Sequence, residues 1–200
     1  MHNHLETKNS HDTKENIFLA AAHLFAKRGY NGVSMREISE KSGVTKPTIY
    51  YYFGSKEGIY HELVDTGIQH VFSSFETILK DKMPAKDKLV VMTKKLFQFA
   101  VDYPEFAKFF MTLVTPFTDN AALVKFKKEA EKRGRILVTI IRTGIESGEF
   151  GASANPELAA KIIGGVWQHF IWQQLASQKK ILTDELAQEI IEILFKGLNE

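Results

Sequence analysis

Apolar residues recur along nearly the whole chain at three- and four-residue intervals, the period of a helix that buries one face. Ile17, Ala21, Leu24 and Phe25 mark such a stripe from Thr13 to a stop at Gly29. Ser34 and Glu37 then have capping-box spacing, so a second helix is predicted from Met35 to near Ser42, closed by Gly43 as a left-handed C′ residue. Val44 fills the corner and Thr45 caps a third helix, whose first turn tolerates Pro47 because an N–H there has no intrahelical partner. Ile49 and Phe53, four apart, are its inward positions. The same period continues from Ser55 to about Lys80, over Lys86–Val101, over Glu105–Val114 after Pro104, and from about Asn120 to Ser147 before Gly148. Asn155-Pro156 has the cap-then-N1 arrangement for a helix to about Gln178, and Thr183 caps the last one. No segment has the alternation of a strand, so the expected class is all-α.

Helix, glycine turn and helix over Ser34–Phe53 make the sequence picture of a helix-turn-helix, with the Thr13–Gly29 stripe as the third helix its core needs. The inward Ile49 and Phe53 leave Lys46, Thr48, Tyr50 and Tyr52 on exposed sides of the third helix and at its N-terminal end. That suits a DNA major groove, where the helix dipole favours phosphate, Lys reaches guanine acceptors, and Thr or Pro touches a thymine methyl. Charge agrees modestly: residues 1–60 hold eight Lys/Arg against six Asp/Glu, whereas residues 61–200 hold 18 of each, so the whole net +2 lies in the N-terminal part.

One set of positions goes further. Ile17, Ala20, Ala21, Leu24, Phe25, Gly29 and Tyr30, followed by Ile38, Gly43, Val44, Thr45, Thr48, Ile49, Tyr50, Tyr52, Phe53, Ser55, Lys56 and Glu57, resemble the DNA-binding signature of the tetracycline-repressor (TetR) family. Ser39 stands where the family often has Ala, and Pro47 where it often has Gly. The resemblance covers about the first third of the chain. It implies an N-terminal three-helix helix-turn-helix domain plus a larger C-terminal helical domain for ligand binding and dimerisation. It also implies that Arg36, Lys46, Pro47 and Thr48 face bases while Ser34, Thr45, Tyr50, Tyr52 and Lys56 face phosphates. The expected partners are double-stranded operator DNA, a second copy of the chain, and a small apolar or aromatic effector.

The expected division is a disordered tail over 1–12, a helix-turn-helix domain over 13–58, and a ligand-binding and dimerisation domain over 59–200. The tail carries His2, His4 and His11 without a periodic apolar face or a partnering acidic cluster. The larger domain holds more aromatics than a small helical core requires: Phe97, Phe99, Phe106, Phe109, Phe110, Phe117, Trp167, Phe170 and Trp172. Core packing accounts for any one of them. As a set they suggest an apolar pocket formed by Phe72, Phe97, Phe110, Trp167 and Phe170, with His169 or Gln173 orienting the effector. Ala159, Ala160, Gly164 and Gly165 permit close helix approach, and Leu186, Ile190, Ile193 and Leu194 stripe the last helix. Spacing alone allows either an intrachain contact or a four-helix contact between two copies.

Catalysis finds no supporting set. There is no phosphate loop, nucleophile elbow or His-Glu-x-x-His, no cysteine, and no metal-ligand spacing around His61, His70 or His169, so neither enzyme chemistry, cofactor nor metal is expected. No run of about 20 apolar residues spans a membrane and no leader pattern precedes the first helix, which makes the expected location cytoplasmic. The basic residues Lys125, Lys127, Lys128, Lys132, Arg133 and Arg135 alternate with Glu129 and Glu131 as on a solvated helix face. The leading expectation is a ligand-responsive transcriptional regulator. The competing one is an architectural or division-control DNA-binding protein whose larger domain only dimerises.

Overall fold

The computed structural model describes the backbone over residues 3–113, 121–177 and 179–196, and the side chains of those residues except 3–12, 70–72, 121–123 and 125–126. Among the described residues the chain forms nine α-helices and no strand: α1 (Asn3–Arg28), α2 (Met35–Ser42), α3 (Lys46–Phe53), α4 (Lys56–Lys80), α5 (Ala85–Asp102), α6 (Pro104–Leu113), α7 (Ala121–Glu146), α8 (Pro156–Ala176) and α9 (Asp184–Lys196).

Most helix ends are where the capping chemistry puts them. The Ser34–Glu37 box is closed in both directions, and Gly43 (φ 69°) and Gly148 (φ 78°) are left-handed. Leu158 N–H donates to Asn155 Oδ1 at 2.9 Å, and Leu186 N–H to Thr183 Oγ1 at 3.1 Å. Elsewhere the structure departs from the sequence reading. Helix α1 begins at Asn3 and takes in the expected tail from there on, since neither Gly nor Pro interrupts the chain before Gly29. The Thr45 hydroxyl makes no cap; it lies 2.8 Å from the Thr48 hydroxyl. Helix α8 closes at Ala176, and the Gln174 side-chain carbonyl then accepts from Ile181 N–H and Leu182 N–H at 2.7 and 3.0 Å, turning the chain toward α9. Helix α5, preceded by Pro84 with no side-chain acceptor, borrows one: Glu149 takes Ala85 N–H and Lys86 N–H at 3.1 and 3.2 Å.

Two compact units result, one of Met1–Gly67 with Glu105–Leu123, the other of Ile68–Pro104 with Val124–Glu200. The first therefore extends past Gly58, where the sequence reading ends the DNA-binding domain, and includes α6. Its core of Ile17, Phe25, Ile38, Ile49, Ile59 and Leu63 is closed by Phe109, which is fully buried. Phe109 lies edge-on to Tyr60 at 5.2 Å, and Phe106 edge-on to Phe18 at 6.3 Å. Such pairs contribute about 0.5–1.5 kcal/mol each beyond their burial. A polar link adds to them, with His23 Nδ1 2.7 Å from Glu105 Oε2. Burial raises the Glu105 carboxyl, but hydrogen bonds from Lys108 and His23 outweigh it, so the group titrates below its ordinary value.

The second unit packs Phe75, Leu89, Met92, Phe97, Ile140 and Trp167 into its own core. Thr93 is buried there and satisfied twice, accepting from Trp167 Nε1–H at 2.9 Å and donating to Leu89 C=O at 2.8 Å. The Phe150 and Phe195 rings stack at 3.8 Å.

Candidate functional site

The front of the helix-turn-helix is held from behind. Ile49 and Phe53 are buried, as their spacing requires, and the turn is fastened by Ser39 Oγ–H donating to Val44 C=O at 2.6 Å. A Ser at that position thus adds a bond which Ala lacks. Lys46 and Pro47 are exposed at the start of α3, Thr48 is half-buried beside Thr45, and Tyr50 is exposed. Tyr52 is half-buried, edge-on to Tyr51 at 5.4 Å. Arg36 is exposed on α2, with Nε–H donating to Glu40 Oε1 at 2.7 Å. The start of α2 is more tightly bound. The carboxylate of Glu37 accepts from Ser34 N–H and Ser34 Oγ–H at 2.8 Å each, and from Arg28 at 2.7 Å. These bonds, led by the Ser34 N–H, hold Glu37 at about 2.

Two residues alter the site expected from the sequence. Lys56, assigned to phosphate, has its ammonium turned into the unit: it donates to Tyr30 C=O at 2.9 Å and Val33 C=O at 2.8 Å, 4.2 Å from the Tyr30 ring centroid. It pins the α1–α2 connection to the start of α4. Tyr51, absent from the expected set, is 84% exposed and presents the largest free aromatic surface on α3. The signal was in the spacing, because a residue midway between inward Ile49 and Phe53 points to the opposite side of a helix.

In the second unit, none of the expected effector residues Phe97, Trp167, Phe170, His169 and Gln173 lines either of the two cavities described below. Phe97 and Trp167 are buried, and the Trp167 ring packs on Phe75 at 6.1 Å. Phe170 and Gln173 are half-buried, while His169 is exposed. Phe110 belongs to the first unit, and the Phe72 side chain lies outside the described residues. The cavity found here, of about 210 Å³, has Ile68, Phe75 and Ile136 on its apolar side and Glu76, Lys132 and Arg133 on its polar side. Lys132 is paired with Glu76. Burial draws the Arg133 guanidinium down to about 10, which still leaves it charged at neutral pH. A larger groove of about 680 Å³ runs past Leu79, Met83, Thr139 and Thr143.

Helix α8 carries an exposed apolar stripe. Leu158, Ile162 and Trp172 are 55, 42 and 60% exposed and fall on one face with exposed Gly165 and His169. Beyond the local helix backbone, no atom of the described residues lies within 4 Å of where a Cβ would stand at Gly164 or Gly165, so packing among the described residues does not account for either glycine. On α9, Ile193 is 63% exposed, while Ile190 faces its own core. Among the described residues no helix is long and apolar enough to cross a membrane, and no group of three His, Asp or Glu could hold a metal ion.

Residues 17–63, spanning the helix-turn-helix, match the family described as bacterial regulatory proteins, tetR family. Over 187 residues the chain is 26% identical to the fatty acid metabolism regulator protein of Bacillus subtilis (strain 168), covering 92% of this chain and 94% of that one. A crystal structure of the transcriptional regulator FadR from Bacillus subtilis in complex with stearoyl-CoA superposes with a TM-score of 0.71 at 26% identity, covering 92% and 98% of the two chains. The fold is also that of AibR, solved in complex with isovaleryl coenzyme A and operator DNA, with a TM-score of 0.71, 19% identity and 92% and 98% coverage. The capped α2, the glycine turn and the exposed α3 face all lie inside the matched segment, so residues 17–63 form a helix-turn-helix segment of the tetR family of bacterial regulatory proteins.

Proposed function

We propose that the chain binds a palindromic or near-palindromic operator as a homodimer and is released from it by an acyl-coenzyme A or a similar thioester with an apolar tail. The observation that carries the reading is helix α4: it starts directly after α3 and runs unbroken from Lys56 to Lys80, so one helix contributes residues to both compact units. An effector that shifts its far half must act on the DNA-binding unit. The effector class is suggested by the relatives, one a fatty acid metabolism regulator and one bound to stearoyl-CoA. It narrows the apolar or aromatic effector expected from the sequence.

A dimer is supported by the α8 stripe and by the short reach of α3, since one recognition helix reads only a few base pairs. The cavity of about 210 Å³ lies below the roughly 300–1,000 Å³ that enclose drug-sized ligands, and the groove of about 680 Å³ lies within that range.

The test is an operator obtained by unbiased selection, titrated with protein in the presence of acyl-CoAs of increasing chain length. Release by a subset of lengths, accompanied by a rise in the melting temperature of the protein alone, is the expected result. No release and no thermal shift across the series would leave the dimeriser reading in its place.

A further inference from the structure

We infer that Gly67 and Phe110 form a socket and peg that fix where α6 sits on α4, and that this pair sets how strongly effector binding and operator binding are linked. The inference rests on the effector reading above. Gly67 lies in the interior of a 25-residue helix, where glycine costs helix stability and needs a reason. The reason is on its surface: a Cβ built there would overlap the Phe110 ring at Cζ and Cε2. Helical glycines at 134, 164 and 165 have no such neighbour, whereas Gly144 on α7 meets the Phe150 ring in the same way, so Gly67 is one of two helical glycines that make room for an aromatic ring among the described residues.

Phe110 is the last of four successive attachments of α6 within the DNA-binding unit. Glu105 meets His23, Phe106 meets Phe18, Phe109 meets Tyr60, and Phe110 enters the space left at Gly67. The chain passes between the two units three times, within α4 after Gly67, at the start of α6 before Glu105 and within α7 after Leu123. The socket therefore joins two of the three helices that carry those crossings. A ring that is either seated or displaced has two discrete arrangements, because close-packed interiors switch rather than deform continuously. Gly67 and Phe110 are positioning residues; neither is among the residues expected to touch DNA.

The test is a two-by-two set of full-length proteins, with Gly67→Ala, Phe110→Ala and both. Two quantities are read: the melting temperature, and the ratio of operator Kd with and without stearoyl-CoA as the probe. With Phe110 present, Gly67→Ala is expected to lower the melting temperature. In the Phe110→Ala background the same change should leave it unchanged or raise it, since Ala is the better helix former once the ring is gone. Stearoyl-CoA should raise the operator Kd of the unsubstituted protein by about 5- to 150-fold, and both single variants should bring that ratio toward one. If Gly67→Ala alone does not fold, rescue of folding in the double variant is the same sign reversal, and Phe110→Ala supplies the ratio. Equal melting shifts in both backgrounds would overturn the socket, and an undiminished ratio in the single variants would overturn its part in the linkage. No shift with the unsubstituted protein would instead overturn the effector reading, and the melting cycle would still decide the socket.

Discussion

Lys46 and Lys56 flank the recognition helix with the same charge and opposite surroundings. Lys46 is exposed at the N-terminal end of α3, whereas the Lys56 ammonium is spent on two carbonyls and a ring face. Replacing Lys46 by Ala should relax base preference at one position of each half-site, at about 1–3 kcal/mol per base contact, measured by competition among single-base operator variants. Lys56→Ala should act on the fold, leaving the Tyr30 and Val33 carbonyls without this donor and lowering stability by about 1–3 kcal/mol in urea unfolding. Unchanged stability with a flatter salt dependence of DNA binding would return Lys56 to the phosphate role. Glu37 gives the residue scale a pH signature. Its carboxyl is depressed from 4.5 to about 2 in the folded protein, so its contribution is fully present above pH 4.5 and is lost as pH falls toward 2. The stability difference between the protein and Glu37→Gln should accordingly be constant near neutrality and shrink across that window; a difference independent of pH would show that the charge of Glu37 plays no part.

Helices show the same contrast between a residue's position and its bonding. Thr183 and Thr45 both stand at N-caps, but only Thr183 accepts a backbone N–H with its hydroxyl. Thr183→Ala should cost about 1 kcal/mol in thermal unfolding, while Thr45→Ala costs distinctly less. Equal costs would mean that the Thr45–Thr48 hydroxyl pair supports α3 as well as a true cap would. Every helix with a local signal was legible in the sequence: the Ser34–Glu37 box, Gly43, Asn155-Pro156 and Thr183 act within a few residues of the ends they set. What was not legible depends on distant partners. Neither the Glu149 cap on α5 nor the attachment of α6 to the DNA-binding unit has a short-range pattern, because the partners are brought together only by folding. The Lys56 site was missed for that reason, its acceptors lying on the α1–α2 connection. Phe97 and Trp167 are expected as effector contacts from the aromatic surplus, and both are buried, Trp167 against Phe75; a count of aromatics does not distinguish a pocket wall from a filled core.

At the scale of the whole molecule, the proposed function needs two copies for recognition and two sites for control. The α8 stripe supplies a surface for the first requirement. Ile162→Glu places a charge on it without touching α3, and should give a monomer in sedimentation with operator affinity reduced by the loss of the second half-site. A dimer that persists and binds as before would move the interface elsewhere. The second requirement is thermodynamic. If an acyl-CoA weakens operator binding by about 1–3 kcal/mol, operator DNA must weaken acyl-CoA binding by the same factor, whatever the structural route between them. The most direct measurement is therefore a calorimetric titration of the releasing acyl-CoA into the protein alone and into its operator complex. The account predicts a Kd about 5- to 150-fold weaker in the complex, equal to the factor by which the ligand weakens DNA binding. Equal affinity in the two titrations, with the site shown to be occupied in both, would contradict it.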